Sequence, residues 1–193
     1  MKKLCVSLFM MVIIGVYIVS MKNVGKDTND MSGNKDVNIS QNTSARLKEL
    51  GEKIKQDYPD APKAVIQMHN EFMGIGYSSQ MSKEDIPSYI EKIRPLYSEE
   101  LKELNSVEVQ TAEFIAEIDK NLEDSFIIIS SQIGDVTIIK DSDEEEPKIA
   151  EVMVKHSSNQ GDLVRTYRLV KENEQWKINS WENLNSETAD LED

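Results

Sequence analysis

Cysteine occurs once, at Cys5, so no disulfide can staple this 193-residue chain and its stability must come from a buried core. Histidine occurs twice, at His69 and His156, and without a Cys or His cluster structural zinc is excluded. There is no Gly-x-Ser-x-Gly, so a nucleophile-elbow hydrolase has no signature here. Positive charge is scarce: 22 Lys and Arg stand against 35 Asp and Glu, a net charge of −13. Four of those lysines, Lys2, Lys3, Lys22 and Lys26, precede the first acid, so the remainder is more acidic still. Such a surface repels nucleic acid and anionic lipid headgroups, which makes nucleic-acid binding an unsuitable function. Long hydrophobic runs are absent with one exception.

That exception is Leu4 to Met21, 18 residues interrupted only by Ser7, Gly15, Tyr17 and Ser20. As a helix it would span roughly 27 Å, close to the hydrocarbon thickness of a bilayer. A cleavage site is poor: the best one follows Ser20 and places Ile18 where a small residue is wanted. Cys5 opens the run instead of following it, which excludes a lipidated N-terminus. The expectation is a signal anchor or transmembrane helix over residues 1–22, with Lys2 and Lys3 inside and the domain outside the cytoplasm. Secretion after signal cleavage is the alternative.

Residues 23–44 are polar and lack helical or strand periodicity, which predicts a disordered linker holding the domain about 25 Å from the bilayer. Residues 45–184 form the expected domain, and 185–193 an acidic disordered tail. From Ala45, Leu47, Leu50 and Ile54 recur at helical spacing as far as Asp57. Pro62 opens a second helix with Val65, Met68, His69, Phe72 and Met73 inward, ending at Gly74 or Gly76. Ser82 and Asp85 announce a third helix that buries Ile86, Tyr89, Ile90 and Ile93 and stops at Pro95. A short piece follows over Tyr97–Leu104. Val109–Leu122 predicts a further helix with Ala112, Ile115, Ile118 and Leu122 inward.

Beyond Asp124 the period becomes two, with five expected strands: Phe126–Ile129, Val136–Ile139, Ile149–Val154, Leu163–Val170 and Gln175–Trp181. Short polar gaps at Gly134-Asp135, Asp141–Pro147, Ser157–Asp162 and Glu172–Glu174 make the strands antiparallel neighbours. Helices first and a meander afterwards give an α+β domain, with the helices on one face of the sheet.

Two tiers of resemblance follow from these residues. A helical half leading into long antiparallel strands, the last carrying Trp176-Lys177-Ile178-Asn179-Ser180-Trp181, resembles the cone-shaped fold of nuclear transport factor 2 and the ketosteroid isomerases, a cystatin-like arrangement with a curved sheet. More narrowly, four motifs in this order resemble an uncharacterised bacterial family of short membrane-anchored or secreted proteins. They are Tyr58-Pro59-Asp60-Ala61-Pro62 with Val65-Ile66, then Leu96-Tyr97-Ser98-Glu99-Glu100-Leu101, then Tyr167-Arg168-Leu169-Val170-Lys171, and the tryptophan-bearing end. That family has no assigned activity and brings no catalytic residues. The cone fold implies a homodimer formed through the sheet, and an interior that houses a site in some members.

Candidate pocket-lining residues are therefore His69, Tyr97, Tyr167 and Trp181. His69 shares the inward stripe of its helix, which favours a packed ring over a catalytic base. His156, at a strand end beside Ser157-Ser158-Asn159, is expected to be a solvated hairpin histidine. Trp176 belongs to the core; Trp181 has the opposite parity and would need a bulge or the cone's open end to be buried. The acidic turn Asp141–Glu146 lacks the glycine and terminal glutamate of a calcium loop, so no metal site and no cofactor are implied. Two functions follow: a tethered extracytoplasmic module that binds a protein or small molecule without catalysis, or a small isomerase or hydrolase with its site inside the cone. The first predicts a filled interior, the second at least two convergent polar groups in an open one.

Overall fold

The computed structural model describes residues 36–78, 81–139 and 149–184. The apolar run Leu4–Met21, the acidic turn Asp141–Glu146 and the tail 185–193 lie outside them. Among the described residues no helix is long and apolar enough to cross a membrane. The fold concerns the described part of the unit 35–193.

Among the described residues five α-helices precede the sheet: α1 (Asp36–Gln56), α2 (Pro62–Gly76), α3 (Ile86–Ile93), α4 (Glu99–Leu104) and α5 (Val107–Glu123). Four strands follow, β1 (Ile128–Ile139), β2 (Ile149–Ser158), β3 (Gly161–Glu172) and β4 (Gln175–Leu184), in the spatial order β1-β2-β3-β4 and all antiparallel. The class is α+β, as the change of period predicts. The helices pack against one face of an open sheet.

The first helix begins at Asp36, ahead of the expected Ala45, so residues 36–44 do not belong to a structureless linker. The physical reason is visible at Thr43, which is 3% exposed. It continues the Leu47, Leu50 and Ile54 stripe back by one turn, and a hydroxyl in a hydrophobic register hid the continuation. Ser44 then donates to Asp85 Oδ1 at 2.6 Å, tying α1 to the turn ahead of α3. There Ser82 also donates to Asp85 Oδ2 at 2.9 Å, so the two side chains bond each other and neither caps a backbone N–H as the Ser82-to-Asp85 spacing predicts.

The helix α2 buries Val65, Met68, His69, Phe72 and Met73 as expected. In α5 half of the expected stripe holds: Ile118 is buried and Ile115 packs partly buried on the core, whereas Ala112 is exposed, Leu122 is 54% exposed and Phe114 faces inward instead. Phe114 decides the rotation, since its ring stacks on Tyr89 with centroids 4.7 Å apart and meets Tyr77 edge-on at 5.9 Å. Gly76 sits against that stack. A Cβ there would lie 2.9 Å from Phe114 Cζ and from the Tyr89 ring, contacts that real Cβ atoms do not make. Gly76→Ala is expected to lower stability by about 1–3 kcal/mol through forced ring displacement. Urea unfolding of both proteins checks this, and an unchanged midpoint would mean the rings yield freely.

The sheet corrects the strand count. Gly134-Asp135 is no hairpin turn: β1 runs through it, pairing with β2 as Ile133↔Val154 and then Val136↔Val152. Three steps on β1 therefore match two on β2, a bulge that absorbs one residue. It also places Ile133 and Val136 on the same face despite their odd spacing. A second bulge does the same in β4, where Arg168↔Ser180 is followed by Leu169↔Ile178 and Asn179 is the extra residue. Asn179 Oδ1 accepts from Ser98 Oγ at 2.6 Å, and the same Ser98 oxygen caps α4 by accepting from Leu101 N at 3.1 Å. The segment ahead of α4 thus lies along β4, with a parallel bridge between Tyr97 and Ile178.

Candidate functional site

The four residues singled out from the sequence converge. His69, on α2, lies with its ring centroid 5.3 Å from Tyr167, 6.1 Å from Tyr97 and 6.4 Å from Trp181. Trp181 in turn lies 6.2 Å from Tyr97 and 6.3 Å from Tyr167. One helix, the stretch before α4 and two strands each contribute a ring. Trp181 reaches this face only because the Asn179 bulge resets the alternation of β4 after Ile178. Three of the four are almost wholly buried, at 3% (His69), 5% (Tyr97) and 0% (Tyr167) exposure, and Trp181 packs partly buried against the same core. The rings fill the space between helices and sheet.

A polar line runs through this apolar packing. Arg165 shares the core face of β3 with Tyr167 and stands opposite Val154 and Asn183, donating to Asn183 Oδ1 at 2.9 Å. Its guanidinium also hydrogen-bonds the Tyr167 hydroxyl, which lies 3.3 Å from His156 Nε2, while His156 Nδ1 lies 2.8 Å from Ser131 Oγ. Arginine only donates, so the Tyr167 oxygen accepts from Arg165 and keeps a lone pair and a proton to offer Nε2. The nitrogen that carries the ring proton sets the direction of both His156 contacts.

His156 is therefore not a solvated hairpin histidine. It is 0% exposed, because its strand face continues Ala150, Val152 and Val154 to the end of the core and Ser131 covers it from β1. Burial, with the Arg165 charge adding to it, lowers its pKa to about 4. Burial does the same to His69, helped by the charges of Arg165 and His156, and takes it to about 3. His69 Nδ1 has no hydrogen-bond partner. Beside Arg165, Tyr77 donates to Glu117 at 2.5 Å, and burial together with that carboxylate pushes the Tyr77 hydroxyl well above its usual range. Desolvation opposes the charge on Arg165, but the Tyr167 and Tyr77 hydroxyls and Glu117 outweigh it and hold the guanidinium firmly protonated.

Ser131 links this line to the surface. It lies on the wall of a cleft of about 340 Å³ between α2 and β1, with Gln67, Asn70 and Glu71 on one side and Ile128 to Ser131 on the other. Asn70 is the unusual member, since both its Oδ1 and its Nδ2 are shut off from water and have no hydrogen-bond partner. Glu151, on β2, lies on the opposite face of the sheet and pairs with Arg168 at 3.2 Å.

The family model described as Domain of unknown function (DUF6715) matches residues 1–181. This chain belongs to that family. For this DUF6715 member no curated protein matches. Among solved structures it is similar to the intermembrane space region of chloroplast protein ARC6, at 8% identity and a TM-score of 0.36, over 64% of this chain and 94% of that one. The four motifs quoted from the sequence all fall within the family match.

Sequence reasoning missed Arg165, Asn70 and the pairing of Ser131 with His156. Arg165 carried a signal, because a charged residue alternating with Leu163, Tyr167 and Leu169 stands at an inward position and must have partners there. The pairing carried none, since it rests on the register of β1 against β2, next to a Gly134-Asp135 pair that has the chemistry of a turn.

Proposed function

We propose that this DUF6715 protein is a non-enzymatic binding module, held at a membrane by Leu4–Met21 with its α+β domain outside the cytoplasm. The observation that carries the reading is the filled interior. His69, Tyr97, Tyr167 and Trp181 occupy with their own rings the space where a cone-shaped enzyme would hold substrate. The Tyr167 hydroxyl is shared between Arg165 and His156, while His69 Nδ1 has no partner. The finer likeness to the nuclear transport factor 2 cone belongs to the same proposal, and bulges in β1 and β4 that bend a sheet support it.

Ser131 beside His156 is the one feature that favours the hydrolase alternative, since a hydroxyl 2.8 Å from an imidazole is the start of a nucleophile-base pair. Two facts oppose it. His156 Nε2 faces the Tyr167 hydroxyl at 3.3 Å, where a nucleophile-base pair has a carboxylate to orient and stabilise the charged ring. A histidine with a pKa near 4 is also a weak base at neutral pH.

Fluorophosphonate labelling of the full chain is expected to leave Ser131 unmodified; stoichiometric labelling would restore the hydrolase. Location is tested in cells carrying the full chain with a C-terminal tag. The tag is expected to stay with membranes through alkaline carbonate extraction and to be digested by protease added from outside, and recovery in the cytosol would refute the tether.

A further inference from the structure

The cleft between α2 and β1 runs beside a strand edge that is unpaired among the described residues, because β1 ends the sheet. Free edges of 12 residues are normally blunted by lysine, proline, bulges or cover; this strand has no lysine or proline within Ile128–Ile139, its bulges fall at Ile128–Ser130 and Ile133–Val136, and Ile129 is 66% exposed. Opposite that edge, the Asn70 carboxamide offers two N–H donors and a carbonyl acceptor and satisfies none of them. An unpartnered buried amide lowers stability, and nothing holds it in place, so turning it outward breaks no hydrogen bond. Ser131 adds a hydroxyl that meets His156 and still has hydrogen-bonding capacity on the cleft side.

We infer that this cleft takes an extended peptide segment of a partner protein, added as a further strand along β1, with the Asn70 amide pairing to one of its peptide groups. A peptide group is the chemistry that offers a carbonyl and an N–H together, matching Nδ2 and Oδ1. Strand addition uses the backbone groups of β1 for affinity and leaves alternate side chains to meet Ile129 and Ile133. The net charge of −13 draws a segment with basic flanks. The inference rests on the binding-module reading but needs no membrane tether.

The test is selection of displayed random 12-residue peptides on the full chain in mild detergent, followed by anisotropy titration of the enriched sequences. Enriched peptides are expected to alternate apolar residues between basic flanks. N-methylation of backbone nitrogens in one alternating phase is expected to abolish binding, while the other phase tolerates it. Asn70→Ala is expected to weaken binding at least about tenfold while its thermal midpoint stays at or above that of the unaltered chain, because the alanine removes an unsatisfied group. A purely structural Asn70 would show the reverse pattern. Enriched peptides that bind Asn70→Ala equally well would overturn this site and leave the module reading standing. Enrichment of no peptide, or saturable binding of a soluble polysaccharide in the cleft instead, would overturn the peptide inference. Labelling of Ser131 by the fluorophosphonate would remove the module reading itself.

Discussion

Tyr167→Ala is expected to cost about 3–5 kcal/mol, enough to unfold much of a domain whose whole stability is on the order of 5–15 kcal/mol. Tyr167 is fully buried, stands at the centre of the ring cluster, and touches both the aromatic packing and the polar line. Its removal leaves a cavity beside His69 and Trp181 and takes from Arg165 and His156 the oxygen they share. Tyr167→Phe separates the two losses. It keeps the ring and is expected to cost about 1–3 kcal/mol, the penalty of buried polar groups left without a partner. Guanidinium unfolding of the full chain measures both. A loss under about 1 kcal/mol for the alanine variant would show that the cluster collapses around the gap and is no keystone.

Acidification from pH 6.5 towards 4 should weaken the fold well before its exposed carboxylates titrate. The folded state holds His156 near pKa 4 and His69 near 3, whereas in the unfolded chain both titrate near 6.5. Below pH 6.5 the unfolded state binds more protons, so stability is complete above that pH and falls as pH decreases through the folded values. At 1.36 kcal/mol per pH unit the loss approaches about 3 kcal/mol from His156 and somewhat more from His69 at the acid limit. The groups facing the two rings do not reverse the sign. Arg165 opposes their protonation, and the hydroxyls of Tyr97 and Tyr167 are neutral throughout this range. The carboxyls of Glu99, Glu108 and Asp162 are held below their usual values, so their protonation adds to the loss only at lower pH. His69→Phe is expected to flatten the curve between pH 6.5 and 4.5 by removing one titration. Stability that stays constant over that interval in the unaltered chain would mean the rings are solvated.

Helices were legible where apolar residues alone drew the stripe, as in α2 and α3. They were misread where one polar or aromatic residue carried it. Thr43 ends a hydrophobic count but not a helix, and Phe114 outweighs the aliphatic residues beside it because a stacked ring buries more surface than they do. The sheet was legible as an alternation and illegible at its bulges, since an extra residue reverses parity without leaving a mark in composition. Gly134-Asp135 has the chemistry of a turn, and only its long-range partner on β2 makes it a bulge. The same device explains why Trp181 read as facing the wrong way. Of the candidate site, the ring residues could be named in advance because aromatic side chains on inward faces must meet one another in a small core. The Arg165–Tyr167–His156–Ser131 line could not, because it depends on register across three strands.

The two margins of the sheet are unequal. On the β4 side, Ser98 N donates to Ile178 O at 2.9 Å and Tyr58 Oη to Trp176 O at 2.7 Å, so the chain's own segments occupy that border. Among the described residues that cover reaches Trp176 to Ile178, the first part of β4, while β1 has no segment beside it. Strand pairing through the β1 border alone stops at two copies, since each uses up the border that the other needs.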